Sequence, residues 1–302
     1  MTAKKYQYIL FYSTLFLLFL ILLQSEAVAE AARASLALCA RSLIPALLTP
    51  LVLSGILTAL SASVSLPGAA LFSKIFHLPK SGFSPFLLGL LCGFPIGAKV
   101  TAELYAENAY DAKSAARIAA LSANTGPAFA VAGVGAAFFK SAKIGWLLYL
   151  IQLSSAIILG VLDAKKHPLS HVFCEDTNKT LHFSLPDILY RSSLSLLSIT
   201  GTVVFFGTFC ALPSAILPNS MNALLAAFLE VGNGAYLASG LTASLGVPLA
   251  AFAISFSGIS VLFQNAAHLL PQGIPLSPMI GRKLMQGAIS ALIAFLALPA
   301  LQ

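Results

Sequence analysis

Few residues of this chain can do polar chemistry, and those that can sit inside apolar runs. Lys99 follows Gly97-Ala98 in LLGLLCGFPIGAKVTAELYAEN, residues 87–108. A lysine at membrane depth costs a few kcal/mol unless it is solvated or paired. It either attracts an anion, pairs with Glu103 four residues on, or reaches out to the interface. Asn124, Thr125, Gly126 and Pro127 interrupt a second apolar run. Pro127 removes one helical hydrogen bond and disfavours helix at Gly126. The break then presents the positive end of a half-helix to an anion, or it is a kink satisfied by neighbouring helices. Glu230, in LLAAFLEVGNGAYL, is the last acidic residue of the chain. It binds a coupling proton or cation, contacts a solute amine, or pairs with Arg41 or Lys99. Asn233, Ser257 and Gln264 add neutral hydrogen-bonding groups, and Gln264 is equally suited to bridging helices.

Other chemistries lack their residues. No HExxH, GxSxG or phosphate-loop pattern occurs. SFSG at 255–258 has a serine but no base placed near it, so the chain does not read as an enzyme. His167, His171 and Cys174 have ligand-like spacing, which Pro168 breaks, so neither a metal nor a cofactor is expected. Cys39, Cys92, Cys174 and Cys210 are scattered and form no CxxC pair, which fits buried apolar fillers. The net charge of +7 falls largely at Lys4-Lys5, 74–80 and 165–179. On a membrane protein such clusters mark cytoplasmic loops, not a nucleic-acid surface.

The elements that position these residues are membrane helices. Of 302 residues, 58% are hydrophobic and 9% charged, against about 25% charged in a soluble domain. Apolar runs of about 20 residues, enough to cross a bilayer, occur at 6–25, 42–62, 118–139, 143–162, 187–211, 247–270 and 278–300. Two more, 83–98 and 222–240, are short or broken by Gly and Pro. At the N-terminus two lysines precede the run 8–23, and Ala27-Val28-Ala29 could serve as a cleavage site. The run is long for a signal peptide, which favours a retained helix.

Loop charge places 74–80, 117 and 163–166 on one side, so 83–117 must start and end there. Its second limb carries Glu103, Glu107, Asp111, Lys113 and Arg117, too polar to span, which predicts a re-entrant hairpin. The second half echoes the first: Gly97-Ala98 pairs with Gly234-Ala235, Gly126 with Gly258, and Ile144-Gly145 with Ile280-Gly281. The expected fold is therefore an all-α membrane protein. It has about seven crossings and two re-entrant or broken helical hairpins in two inverted repeats, a secondary-transporter design. The segments are an N-terminal helix at 1–33, a first repeat at 34–162, a cytoplasmic linker at 163–186 and a second repeat at 187–302.

GFPIGAKVTAELY, followed about 20 residues later by NTGPAFAVAGVG, resembles the sporulation integral membrane proteins of the YlbJ type. SLIPALLTPLVLSGIL, LEVGNGAYLAS and SFSGISVLFQ are similar to that family's other blocks. The resemblance implies nucleoside-recognition (Gate) domains in both repeats. It also implies a multi-pass protein of a bacterial cell membrane, such as the one surrounding the forespore. By the same resemblance the function is that of a permease for a small anionic solute, a dipicolinic-acid-like dicarboxylate, in spore maturation. Its partners are then the solute, the bilayer and a coupling proton or cation. Ala123 and Phe94 depart from the family pattern, where asparagine and tyrosine are usual. The site expected from these readings comprises Gly97, Lys99, Asn124, Thr125, Gly126, Glu230, Asn233, Ser257 and Gln264. A non-transporting scaffold for spore-envelope assembly and a nucleoside transporter are the alternatives.

Overall fold

The structure, a computed structural model, describes residues 3–61, 66–167, 184–213 and 216–301. Among them all regular structure is helical. The chain opens with α1 (Ala3–Leu23), α2 (Ser25–Leu38) and, after a π-wound turn, α3 (Ile44–Ser61). A short α4 (Ala69–Phe76) leads to α5 (Phe83–Cys92) and α6 (Ile96–Ala106). Next come α7 (Ala112–Ser122), the π-wound helix Ala128–Phe138 and the long α8 (Ala142–Lys166). The second half holds α9 (Leu185–Ala211), α10 (Asn219–Leu229), α11 (Val231–Ser239), α12 (Ala243–Phe256), α13 (Gly258–Leu269) and α14 (Ser277–Ala297).

The order from α3 onward recurs from α9 onward. A long helix is followed by a helix broken in two, a second helix broken in two, and a closing long helix; α4 is the extra element of the first half. The local chemistry explains each break. At the first, Gly93 takes a left-handed φ of +86°, which glycine adopts without steric cost. Pro95 follows and cannot donate a helical hydrogen bond. At the second, Pro127 restarts the chain after an irregular 123–126. In the second half, Glu230 is extended between α10 and α11. Ser257 and Gly258 are both left-handed, at φ +75° and +74°, between α12 and α13.

Four helices among the described residues are long and apolar enough to cross a membrane: α8, α9, the broken α12–α13 stretch and α14. The count rises to six if the bent pairs are single spans, one bent by 91° between α1 and α2 and one by 103° between α4 and α5. The expected all-α membrane fold is seen, and the expected crossing at 118–139 takes another form. The run 118–139 is not one helix, because α7 stops at Ser122 and the chain resumes at Ala128. Both ends of the expected linker, 163–186, are helical. Residues 163–166 belong to α8 and 185–186 to α9, while 168–183, with His171 and Cys174, lie outside the described residues.

Close packing depends on small residues, as it must where no hydrophobic force distinguishes lipid from protein. Gly89 of α5 and Gly97 of α6 both press on the Ser122 carbonyl at the end of α7. Gly234 of α11 lies on the backbone of Ala227 in α10. Ala223, Ala226, Ala227, Ala235, Ala250 and Ala251 are fully buried. The regions expected on one side of the membrane do meet. Arg117 of α7 donates from Nη2 to Phe76 O (2.9 Å) and from Nη1 to His77 O (3.1 Å) at the end of α4. Its Nε reaches Asp163 Oδ2 of α8 at 2.5 Å, and Arg282 Nη2 of α14 reaches the other carboxylate oxygen at 2.7 Å.

Candidate functional site

The breaks do not lie apart. A Cβ added to Gly93 would come within 2.6 Å of Gly126 N, so the two breaks of the first half touch backbone to backbone. A Cβ on Gly258 would come within 3.2 Å of Glu230 N and 3.1 Å of Val231 N, so the two breaks of the second half touch as well. Between the halves lies a cavity of about 250 Å³. Gly93, Phe94, Thr125 and Gly126 border it from the first half, and Glu230, Gly232 and Gln264 from the second. Its remaining wall is mostly apolar, including Pro50, Phe129, Ile199 and Val261.

Polar groups freed by the first-half breaks are met by partners from other helices. Gln152 of α8 accepts from Thr125 N through Oε1 (3.1 Å) and donates from Nε2 to Thr125 O (2.9 Å), clasping both backbone groups. Thr125 Oγ1 donates to Ile254 O of α12 at 2.7 Å. Asn124 Nδ2 donates to Leu121 O (2.7 Å), and its Oδ1 accepts from Gln286 Nε2 of α14 (3.0 Å). Lys283, 1% exposed, donates from Nζ to Ala123 O (2.6 Å) and Gln286 Oε1 (2.7 Å). The second half solves the same problem with a carboxyl group. Glu230 Oε1 accepts from Gly232 N (2.9 Å), and Oε2 accepts from Asn233 N (2.7 Å) and Asn233 Nδ2 (3.1 Å). A carboxylate thus caps the positive end of α11.

Of the residues expected in the site, Thr125, Gly126, Glu230 and Gln264 border the cavity. Gln264 is 4% exposed, and its Oε1 has no hydrogen-bond partner. Asn124 is fully buried behind the cavity wall. Asn233 orients Glu230, and Ser257, 1% exposed, turns its hydroxyl to Ile254 O at 3.3 Å. Gly97 serves the contact with Ser122. Lys99 is buried off the cavity, with Nζ 4.0 Å from Glu103 Oε1. Of its readings, pairing four residues along the helix is the one seen. Glu230 borders this cavity and Lys99 is not among its lining residues. Glu230 pairs with neither Arg41 nor Lys99.

Sequence reasoning missed Gln152, Lys283 and Gln286. Each is a polar residue in a membrane helix, which is itself a signal. Lys283 lies in IGRKLMQ, next to Arg282, near the start of the apolar run 278–300.

No family model matches the chain, and no solved structure matches it. Over 328 aligned residues it is 26% identical to the sporulation integral membrane protein YlbJ of Bacillus subtilis (strain 168), covering 93% of this chain and 80% of the relative. Together with the apolar helices, this supports a multi-pass membrane protein with a membrane role in sporulation. The likeness runs along nearly the whole chain, which is thus similar to a sporulation integral membrane protein of the YlbJ type.

Proposed function

We propose that the chain is a membrane permease, not an enzyme, for a small solute needed in sporulation. The observation that carries this reading is the cavity between the two halves, bordered by breaks from both. Non-helical backbone at membrane depth is tolerated where it is buried in protein or lines a cavity, and discontinuous helices meeting at a solute site are a transporter device. If the halves are inverted, the breaks approach from opposite faces, and rocking one half against the other would open the cavity alternately.

At about 250 Å³ the cavity lies just below the range of about 300–1,000 Å³ usual for ligand pockets, which fits a single-ring solute. A dipicolinic-acid-like dicarboxylate is the first candidate. Gly126, Ala128 and Phe129, at the start of the helix Ala128–Phe138, border the cavity. Amides in a first helical turn have no intrahelical acceptor, and they favour anions. A nucleoside is the second candidate, favoured by one observation. Gln264 Oε1 at the other end is an unpartnered acceptor, and it suits a solute with hydroxyl or N–H donors.

Purified protein in liposomes tests the reading. Flux of dipicolinate over uridine supports the first cargo, and the reverse supports the second. Absence of flux for both, with protein shown to be folded, rejects transport of these classes and leaves the scaffold role.

A further inference from the structure

Lys283 is a buried cation whose polar partners are neutral. Its ammonium nitrogen contacts Ala123 O and Gln286 Oε1, and among the described residues no carboxylate forms an ion pair with it. The helices packed on α14 explain this. α12 and the turn Leu298–Leu301 carry no ionisable side chain. α7 brings Arg117 and, further out, Lys113. α8 brings Asp163 and Tyr149, with Lys143, Lys165 and Lys166 at its ends. On α14 itself the other charge is Arg282. Asp163 is already held by Arg117 and Arg282, and Tyr149 Oη donates to Leu90 O at 3.1 Å.

The donor count at Lys283 is informative. An ammonium has three N–H donors and a neutral amine has two. Two acceptors are present, so the neutral amine keeps both hydrogen bonds and the site holds either form. Glu230 differs, because three donors converge on its two carboxyl oxygens. The partner Gln286 links Lys283 in two directions. A cavity of about 30 Å³, lined by Arg117, Gly160, Asp163, Arg282 and Gln286, is large enough for about two waters at roughly 10–15 Å³ each. On the other side, hydrogen bonds run from Lys283 through Gln286 to Asn124 Oδ1 and to Gln152 O (3.2 Å), and from Gln152 to Thr125 on the solute cavity.

We propose that Lys283 is the proton-binding residue of the permease, reached through the Asp163 cavity and connected to the solute cavity by the Gln286–Gln152–Thr125 hydrogen bonds. Its use in coupling rests on the permease reading; the proton site itself does not. On release, one N–H bond of the ammonium breaks, the electron pair stays on nitrogen, and the proton passes to water at the Asp163 mouth. The neutral amine pulls less strongly on Ala123 O and Gln286. The clasp on Thr125, and with it the cavity wall, responds to the loading of Lys283.

The test uses the full chain labelled with carbon-13 at lysine Cε. The Lys283 resonance is identified by its loss in Lys283→Met or, if that variant does not fold, in Lys283→Arg. It is expected to pass from the ammonium to the amine form within the pH range over which the chain stays folded, and to move in Asp163→Asn. In liposomes, an imposed pH gradient should stimulate dipicolinate or uridine uptake by about tenfold, equivalent to about 1.4 kcal/mol, and Lys283→Arg should lose that stimulation. A resonance that stays in the ammonium form throughout overturns the proposal, whatever the flux. A titrating resonance with stimulation intact in Lys283→Arg overturns the coupling role. A titrating resonance with no uptake of either probe by the wild-type chain overturns the permease reading and leaves the proton site standing.

Discussion

The two halves of the molecule break their helices in the same order but satisfy the exposed backbone in different ways. In the first half, Gln152 and Gln286 reach in from α8 and α14 and bind the 123–127 segment through neutral amides. In the second, Glu230 closes its own break with a carboxyl group from the same segment. A clasp made from other helices ties the break to the packing of the whole bundle. A cap made within one segment is local and travels with α11. The first break is therefore the natural place for long-range coupling, and the second the natural place for a unit that moves as one piece.

Removing the clasp should have the largest effect. Gln152→Ala leaves Thr125 N and O without partners, and two buried orphans at about 1–3 kcal/mol each total about 4 kcal/mol. Thermal unfolding in detergent should show a large fall, and a variant that melts with wild type would remove the distinction between clasp and cap. Glycine contacts come next. Gly93→Ala meets Gly126 N at 2.6 Å with φ +86°, whereas Gly258→Ala has its nearest contact at 3.1 Å with φ +74°. Strain and overpacking of this kind cost about 1–3 kcal/mol, with Gly93→Ala at the top and Gly258→Ala near the bottom. Equal melting points would show that the first pair of breaks is no tighter than the second.

Glu230→Gln retains one acceptor for the α11 amides but turns the other carboxyl oxygen into a donor, a change of about 1 kcal/mol. It should lower the melting point slightly, much less than Gln152→Ala does. The smallest effect on stability belongs to Gln264→Leu. Its Oε1 has no partner to lose, so the melting point should hold within about 0.5 kcal/mol or rise. Uridine uptake should fall while dipicolinate uptake persists. A large loss of stability in this variant would place Gln264 in the packing of the bundle and not at the solute.

Much of this arrangement can be read from the chain, because breaks are local. Gly93 with Pro95, and Gly126 with Pro127, mark positions where a helix cannot continue whatever surrounds them. The pairing of Gly97 with Gly234, and of Gly126 with Gly258, follows the recurrence of elements seen in the fold. Glu230 stood out as an acid in an apolar stretch. The partners of the breaks were illegible for the opposite reason. Gln152 lies 27 residues from Thr125, and Gln286 lies 162 residues from Asn124. No periodicity along the chain encodes such a meeting. Ser257 was chosen for its hydroxyl, whereas its structural part is a left-handed turn that serine rarely adopts. Lys99 and Glu103 show the limit from the other side. A spacing of four residues on a helix offered a local partner, and the local partner is the one it has.

The cap on α11 has one further consequence, which concerns competition. Glu230 holds its carboxylate against the Gly232 and Asn233 amides by covalent tether, so it competes with any free acid at an effective concentration of at least about millimolar. A dissolved carboxylate must exceed that level, or bring additional binding from the rest of its body, before it can occupy this helix end. The α11 terminus is thus self-inhibited towards simple acids. On the permease reading, an acidic solute would instead meet the start of the helix Ala128–Phe138, where Gly126, Ala128 and Phe129 also border the cavity.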